Sequence, residues 1–333
     1  MKKITVIGFT NSGKTTYLMG TYCFMSMGGK SGGGYALVTD EENGNLLHNL
    51  WNQLQNYGQW PAASDVAFTC TFSLQRYLKS IDGSEFEWID YPGSTLMALS
   101  PEVRASINEA SCLVLIVDGE SFAFTRDKEK SRRPIAAQND AQYKSVVGDN
   151  LLNNGDKLAI MRLGQMVAGG ISLPPVAVVV TKRDLIPPER LKYIPEIIPQ
   201  EFDTLFYNGV PVFLTSVTLG AEIERNGTLS PEDVEKPLFY ALLSTFCQEI
   251  DAIKKRIADN KKQLEAQDTM FNRLFHQDML DELKRRIYLD EDKIRVMSEN
   301  ASPMLDFFGH DSVFYVNGEQ AELREYFSGR LSL

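Results

Sequence analysis

Ile4-Thr5-Val6-Ile7-Gly8-Phe9-Thr10-Asn11-Ser12-Gly13-Lys14-Thr15 decides the reading of this chain. Its first four residues form a short β-branched run, suited to a buried strand. The next eight fit Gly-x-x-x-x-Gly-Lys-Ser/Thr, and a helix-compatible stretch runs from Thr16 to about Met27. Strand, glycine loop and helix form the context in which that pattern cradles phosphate. The glycines let backbone N–H groups converge on phosphate oxygens, and the helix N-terminus adds a favourable dipole. Lys14 is placed to reach β- and γ-phosphates, and the Thr15 hydroxyl to ligate Mg²⁺. Asn11, Ser12, Gly13, Lys14, Thr15 and Thr16 are therefore candidate nucleotide-binding residues.

Three further segments fit around this core. Glu85–Ile89 alternates like a strand and ends at Asp90-Tyr91-Pro92-Gly93. An aspartate at a strand's carboxyl end, facing the phosphate loop, can hold Mg²⁺ through water, and the Gly93 N–H can meet a γ-phosphate. Cys112–Val117 is a continuous apolar run ending at Asp118, and Val176–Val180 is another. Such runs suit central parallel strands. The second ends in Thr181-Lys182-Arg183-Asp184. A carboxylate at Asp184 can accept from both N1–H and the 2-amino group of guanine, donors that adenine lacks in that arrangement. A base that leaves the carboxylate unpaired is penalised. The Lys182 stem can lie along the base. Val212–Leu214 is a further short strand, followed by Thr215-Ser216-Val217. Backbone N–H groups at Ser216 and Val217 are expected near the guanine carbonyl.

Taken in order, Gly8–Thr15, Asp90–Gly93, Thr181–Asp184 and Thr215–Val217 resemble the motifs of P-loop GTPases of the translation-factor and Ras-like (TRAFAC) class. The similarity spans roughly residues 1–245. It implies a Mg²⁺-dependent GTP-binding protein that hydrolyses GTP to GDP and acts as a molecular switch, with a protein effector or activating partner. Thr181 departs from the common Asn of the base-reading motif. The class also uses a Thr or Ser before the second strand to complete the Mg²⁺ shell. Ser64 is the first choice for that role, with Thr39 and Thr69 as runners-up. Where Ras-like members carry a water-positioning Gln after the glycine, this chain has Ser94, so intrinsic hydrolysis is expected to be slow. Asn11 stands where potassium-activated members hold K⁺ between phosphates, an alternative source of the missing charge. Catalytic candidates are thus Lys14, Gly93, Ser94 and Ser64, and metal candidates Thr15, Ser64 and Asp90. The Trp60-Pro61 segment is similar to bacterial double-GTPase domains, which would place the protein in conflict or defence systems. Two other readings stay open: a non-hydrolysing, nucleotide-stabilised scaffold, and an ATP-using P-loop NTPase.

Alternating strands and helices predict an α/β fold, mostly parallel, with helices on both faces. Phe68–Leu74 and Phe86–Ile89 should form an antiparallel edge hairpin. The expected division is a nucleotide domain over 1–245 and a helical extension with a small hairpin over 246–333. The first part carries insertions near 28–58 and 119–148. The first insertion combines a glycine-rich stretch (Gly28–Gly34) with a helix over Glu41–Tyr57, and the second holds the polar, locally basic run Arg126–Arg133. From Leu238 to about Asn300 there is no Gly or Pro. Ile257, Leu264 and Phe271 are spaced by seven, as are Leu280, Ile287 and Ile294. That pattern predicts two long amphipathic helices with a break near 275–279, packing on the nucleotide domain or forming an oligomer surface. Val313–Val316 before Asn317-Gly318 predicts a terminal hairpin.

Composition narrows the class further. The 333 residues hold 34 Lys+Arg against 44 Asp+Glu, a formal charge of −10. That balance argues against a general nucleic-acid binder. Cys23, Cys70, Cys112 and Cys247 lie far apart, without metal-ligand spacing. The apolar runs are far too short to span a membrane. The expected setting is cytoplasmic.

Overall fold

The structure is a computed structural model that describes residues 1–26, 32–62, 66–97, 100–126, 132–207, 209–220, 229–267, 277–309 and 312–331. The chain begins with β1 (Lys2–Gly8), the phosphate loop and α1 (Lys14–Ser26). Next come β2 (Tyr35–Thr39), α2 (Glu41–Tyr57), β3 (Phe68–Arg76), β4 (Lys79–Ser80) and β5 (Phe86–Asp90). Helix α3 (Pro101–Glu109) leads to β6 (Cys112–Val117), then α4 (Glu120–Ala123), β7 (Phe124–Arg126) and β8 (Arg132–Pro134). The middle of the chain supplies α5 (Asp140–Asn153), α6 (Asp156–Ala168), β9 (Val176–Val180), α7 (Ile194–Glu201), α8 (Asp203–Phe206) and β10 (Val212–Ser216). It closes with α9 (Lys236–Gln267), α10 (Gln277–Ala301), β11 (Val313–Val316), β12 (Glu319–Gln320) and α11 (Leu323–Leu331).

One large sheet runs in the order β12-β11-β10-β9-β6-β1-β5-β3-β2. Its centre is parallel, from β5 through β1, β6 and β9 to β10. Strands β6 and β9 are buried on both faces along their whole length, so each reads as a continuous apolar run rather than an alternating one. The pleat still sorts the side chains. Val114 and Ile116 of β6 enter one core with α1, α2 and α9, whereas Leu113, Leu115 and Val117 enter the other with α3, α5, α6 and α7.

The expected β3–β5 pair is present and antiparallel, with Phe72 opposite Phe86 and Phe68 opposite Asp90. It does not form the edge, however. Strand β2 pairs antiparallel with β3 and covers it. Helix α2 has the expected bounds. The Asp40 side chain accepts from the Asn43 N–H at its start, and Gly58 ends it in the left-handed region at φ 63°. The glycines at 28–29 lie outside the described residues.

Both long C-terminal helices form. Ile257 of α9 and Leu280, Ile287 and Ile294 of α10 are buried, and Leu264 packs against the same core. Phe271 and residues 275–276 of the expected break lie outside the described residues, whereas residues 277–279 already belong to α10. The Asn317-Gly318 turn has φ of 54° and 82°, both positive as a type I′ turn requires. Its hairpin joins the central sheet, because β11 pairs antiparallel with β10. Residue 245 falls inside α9, whose first half from Leu238 to Ile250 packs in the sheet core. Among the described residues, no helix is long and apolar enough to cross a membrane.

Candidate functional site

The register aligns the carboxyl ends of the parallel strands. Gly8 lies level with Ile116, Val117 with Val180, and Val180 with Ser216. The loops that follow these strands therefore open on one edge of the sheet, the usual ligand position in such folds. They surround a cleft of 420 Å³ lined by the phosphate loop, Asp90–Gly93, Thr181, Lys182, Asp184 and the loop after β10.

Close backbone approach explains two glycines. A Cβ on Gly93 would lie 2.1 Å from the Thr10 nitrogen, so this loop rests directly on the phosphate loop. A Cβ on Gly8 would lie 2.6 Å from the Ile116 carbonyl oxygen. Asn11 adopts φ 67°, a left-handed conformation that Asn tolerates better than most residues. That demand accounts for an asparagine here without a cation.

Lys14 is buried and donates to the carbonyls of Gly8 at 2.9 Å and Phe9 at 3.1 Å. Burial lowers its pKa, while the Asp90 and Asp156 carboxylates act in the opposite direction. The Thr15 hydroxyl donates to Asp90 Oδ2 at 3.0 Å. Burial pushes the Asp90 carboxyl up to about 6, although Lys14 and the Thr15 bond pull it down. Asp90 Oδ1 is buried and without a hydrogen-bond partner. A buried acceptor left in this state is costly unless a ligand completes it. The pair of hard oxygen donors suits a hydrated divalent cation such as Mg²⁺.

The Thr181–Asp184 loop is tied to the phosphate loop by side chains. Thr181 Oγ1 donates to the Ser12 carbonyl at 2.7 Å, so the threonine in place of asparagine anchors the two loops to each other. Lys182, at φ 53°, donates to the Asn11 carbonyl and to Glu120 Oε1, both at 3.0 Å, and pairs with Asp118 at 3.0 Å. Asp184 is exposed at the cleft wall, and Oδ1 accepts from the Thr218 hydroxyl at 2.7 Å. Arg183 points away, donating to the Ser216 carbonyl at 3.2 Å and pairing with Glu232 and Asp233.

Most of the expected residues converge. Asn11, Gly13, Lys14, Thr15, Thr16, Asp90, Gly93, Thr181, Lys182, Asp184 and Val217 all line the cleft. Ser12 lies beneath it, with a buried hydroxyl. Ser216 instead lines a neighbouring 220 Å³ cavity with Arg183 and Lys236. The Val217 N–H is engaged by the Val180 carbonyl at 2.8 Å. The cleft is bordered beyond it by Leu219 and Gly220. Ser94 is exposed and is not among the lining residues. Ser64 lies outside the described residues. Of its runners-up, Thr39 donates to the Thr71 carbonyl at 2.7 Å, and Thr69 is exposed on β3. Neither lines the cleft. Trp60, Pro61, Ala62 and Val66 do border it.

Sequence reading missed Thr218, Glu120 and Arg132. Thr218 follows the last motif directly, and a hydroxyl one residue beyond a strand loop is a signal that could have found it. Glu120 and Arg132 lie in an insertion with no motif to mark them.

Fold and site together define the class: a P-loop α/β domain whose motif loops gather at the carboxyl ends of a mostly parallel sheet. No protein-family model matches the chain, and no curated protein does. Several solved structures resemble it. The GTPase-like domain of S. cerevisiae Ski7, bound to GDP and inorganic phosphate, is 17% identical, with 73% of this chain and 48% of that one covered and a TM-score of 0.37. A bacterial selenocysteine-specific elongation factor is 16% identical, at 73% and 29% coverage and a TM-score of 0.34. The Arl6 small GTPase of Trypanosoma brucei is 14% identical, at 72% and 94% coverage and 0.31. The chain thus spans less than a third of the elongation factor's length. At these scores the likenesses carry no argument about function, which has to come from the site itself.

Proposed function

We propose that this protein binds GTP with Mg²⁺ in the cleft and hydrolyses it to GDP and phosphate, alternating between two states that a protein partner reads. The observation that carries this reading is the meeting of three groups in one cleft. They are a lysine on the phosphate loop, a threonine–aspartate pair with an orphaned carboxylate oxygen, and a carboxylate held at the wall by Thr218.

Backbone N–H groups of the phosphate loop and the α1 N-terminus hold the β- and γ-phosphates. Lys14 exchanges its carbonyl contacts for phosphate oxygens and stabilises the charge that builds up during transfer. Thr15 and Asp90 would hold Mg²⁺, which would supply positive charge to the nucleotide's phosphates. Gly93 rests on the phosphate loop, so its N–H meets the γ-phosphate only while that group is present. Asp184 selects guanine, and the Trp60–Ala62 segment with Val66 responds to nucleotide state from the rim. Purified protein should release phosphate from GTP well above a Lys14→Ala control. Release no faster than that control would favour the non-hydrolysing reading, which the exposed position of Ser94 keeps open.

Two tests follow from individual contacts. Thr218→Val keeps the shape but removes the hydroxyl that orients Asp184. One lost bond of about 1 kcal/mol should weaken GTP roughly fivefold and leave ATP binding unchanged. Equal loss for both nucleotides would argue against a base-reading role. The second test uses pH. A carboxyl with a pKa raised to about 6 carries a proton below that pH and loses it above. A proton and Mg²⁺ compete for the same oxygens, so Mg²⁺ affinity should be constant above pH 7 and fall about tenfold per unit well below pH 6. Mg²⁺ titration of nucleotide retention at pH 5 and 7.5 measures this. A Mg²⁺ dependence unchanged between the two would remove Asp90 from the metal site.

A further inference from the structure

The residues of the phosphate loop and of Asp90–Gly93 leave the transferring phosphoryl group short of positive charge. Among the described residues lining the cleft, the cations are Lys14, Lys182 and Arg132. Lys14 belongs to the phosphate loop. Lys182 is committed to Asp118, Glu120 and the Asn11 carbonyl. Arg132 comes from β8, in the insertion between β6 and β9, and its side chain is 66% exposed.

The hairpin that carries Arg132 is firmly rooted. Its strands pair Phe124 with Pro134 and Arg126 with Arg132. At its base, Asn150 of α5 donates to the carbonyls of Ser121 and Phe124, both at 2.8 Å, and Tyr143 donates to the Phe122 carbonyl at 2.7 Å. The guanidinium then reaches back, with Arg132 Nη2 2.9 Å from Glu120 Oε1. The same oxygen accepts from Lys182, whose ammonium touches the phosphate loop at the Asn11 carbonyl. Arg132 is therefore two side chains away from the loop that would hold phosphate.

The geometry points to Arg132 as a built-in cation for phosphoryl transfer, an arginine supplied by this chain rather than by a partner. This rests on the GTP-hydrolysing reading above and names the group that reading lacks. Glu120 is buried, but Lys182 also pairs with its Oε1 at 3.0 Å, so the carboxylate keeps a cation when the exposed Arg132 side chain moves to a phosphate. A guanidinium binds phosphate oxygens with two parallel bonds and disperses charge that Lys14 alone cannot reach. In the step itself, the water oxygen bonds to the γ-phosphorus and the bond to the bridging β-oxygen breaks. The electron pair leaves with GDP, and the water proton ends on inorganic phosphate. Arg132 takes no proton; it offsets the charge on the oxygens as the bond order shifts.

The test measures GTP turnover at saturation, together with GDP and GTP affinity by fluorescent-nucleotide titration, in wild type, Arg132→Ala, Arg132→Gln and Arg133→Ala. Arg133 is an exposed neighbour whose side chain alternates to the other face of the strand. Arg132→Ala and Arg132→Gln should lower kcat about a hundredfold or more while GDP affinity changes less than about threefold. Arg133→Ala should match wild type. Unchanged kcat in both Arg132 variants would overturn the assignment, as would a loss of affinity with kcat intact. A potassium ion at Asn11 predicts the opposite pattern, with K⁺-stimulated turnover that is indifferent to Arg132. Wild type that does not exceed the Lys14→Ala control would overturn the hydrolysis reading itself, and this proposal with it.

Discussion

Lys14→Ala should abolish turnover of GTP, lowering kcat by at least about a hundredfold, because it removes a preorganised charge from a water-poor site. In the structure Lys14 is only 8% exposed, and its ammonium is held by the loop's own carbonyls at 2.9 and 3.1 Å. Those two bonds hold the cation beside the phosphate loop before any nucleotide arrives, and their exchange for phosphate oxygens falls in the binding step, ahead of the transition state. Burial makes the charged form costly, as the lowered pKa shows, and the nearby Asp90 carboxylate partly offsets this. A group kept charged in such a place is worth far more than the same lysine at the surface. Folding should survive the change. The variant would leave two carbonyls short of a donor at the edge of the cleft, where water can replace it. Phosphate release, with thermal melting as the folding control, checks both parts. A variant retaining more than about a tenth of wild-type kcat would contradict the role given to Lys14.

Asp184→Asn should produce the second large effect, an exchange of base preference. Each charge-assisted bond from a guanine donor to the carboxylate contributes about 1.5–3 kcal/mol, a factor of roughly ten to a hundred. An amide presents a donor where guanine also presents one, so GTP should weaken by two orders of magnitude or more. Xanthine offers a carbonyl in place of the 2-amino group and should bind the variant better than guanine does. The Thr218 hydroxyl already donates to Oδ1 at 2.7 Å and fixes the plane of the carboxylate. Oδ2 and the remaining lone pair of Oδ1 are left to accept from the two guanine donors. Competition of GTP, xanthosine triphosphate and ATP against a fluorescent nucleotide reads the exchange. An unchanged ranking would remove Asp184 from the base site.

Much of this site can be read from the chain because its parts are local. A glycine loop between a strand and a helix needs only neighbouring residues, and so does an aspartate at the end of a strand. The same holds for α2, whose Asp40 cap and Gly58 stop are a few residues from the turns they satisfy. What escapes is set by contacts between distant segments. Tyr35–Thr39 is five residues long and follows glycines, yet it becomes a strand because β3 offers it a partner with Leu37 opposite Leu74. The terminal hairpin is legible from Asn317-Gly318, but its addition to β10 is not, since Val212 and Tyr315 meet only in the fold. Arg132 reaches the cleft for the same reason, carried there by a hairpin anchored on α5. The Val217 N–H shows the converse. It follows a motif, yet the register of β9 and β10 assigns it to the Val180 carbonyl.

The central claim is a single guanine-nucleotide site completed by a divalent cation. Calorimetric titration of the purified chain with GTP, and separately with ATP, in Mg²⁺ tests it most directly. The account predicts one site per chain, with ATP bound at least a hundredfold more weakly than GTP and with affinity for GTP falling when Mg²⁺ is chelated. ATP binding as tightly as GTP, or neither nucleotide binding at all, would contradict it.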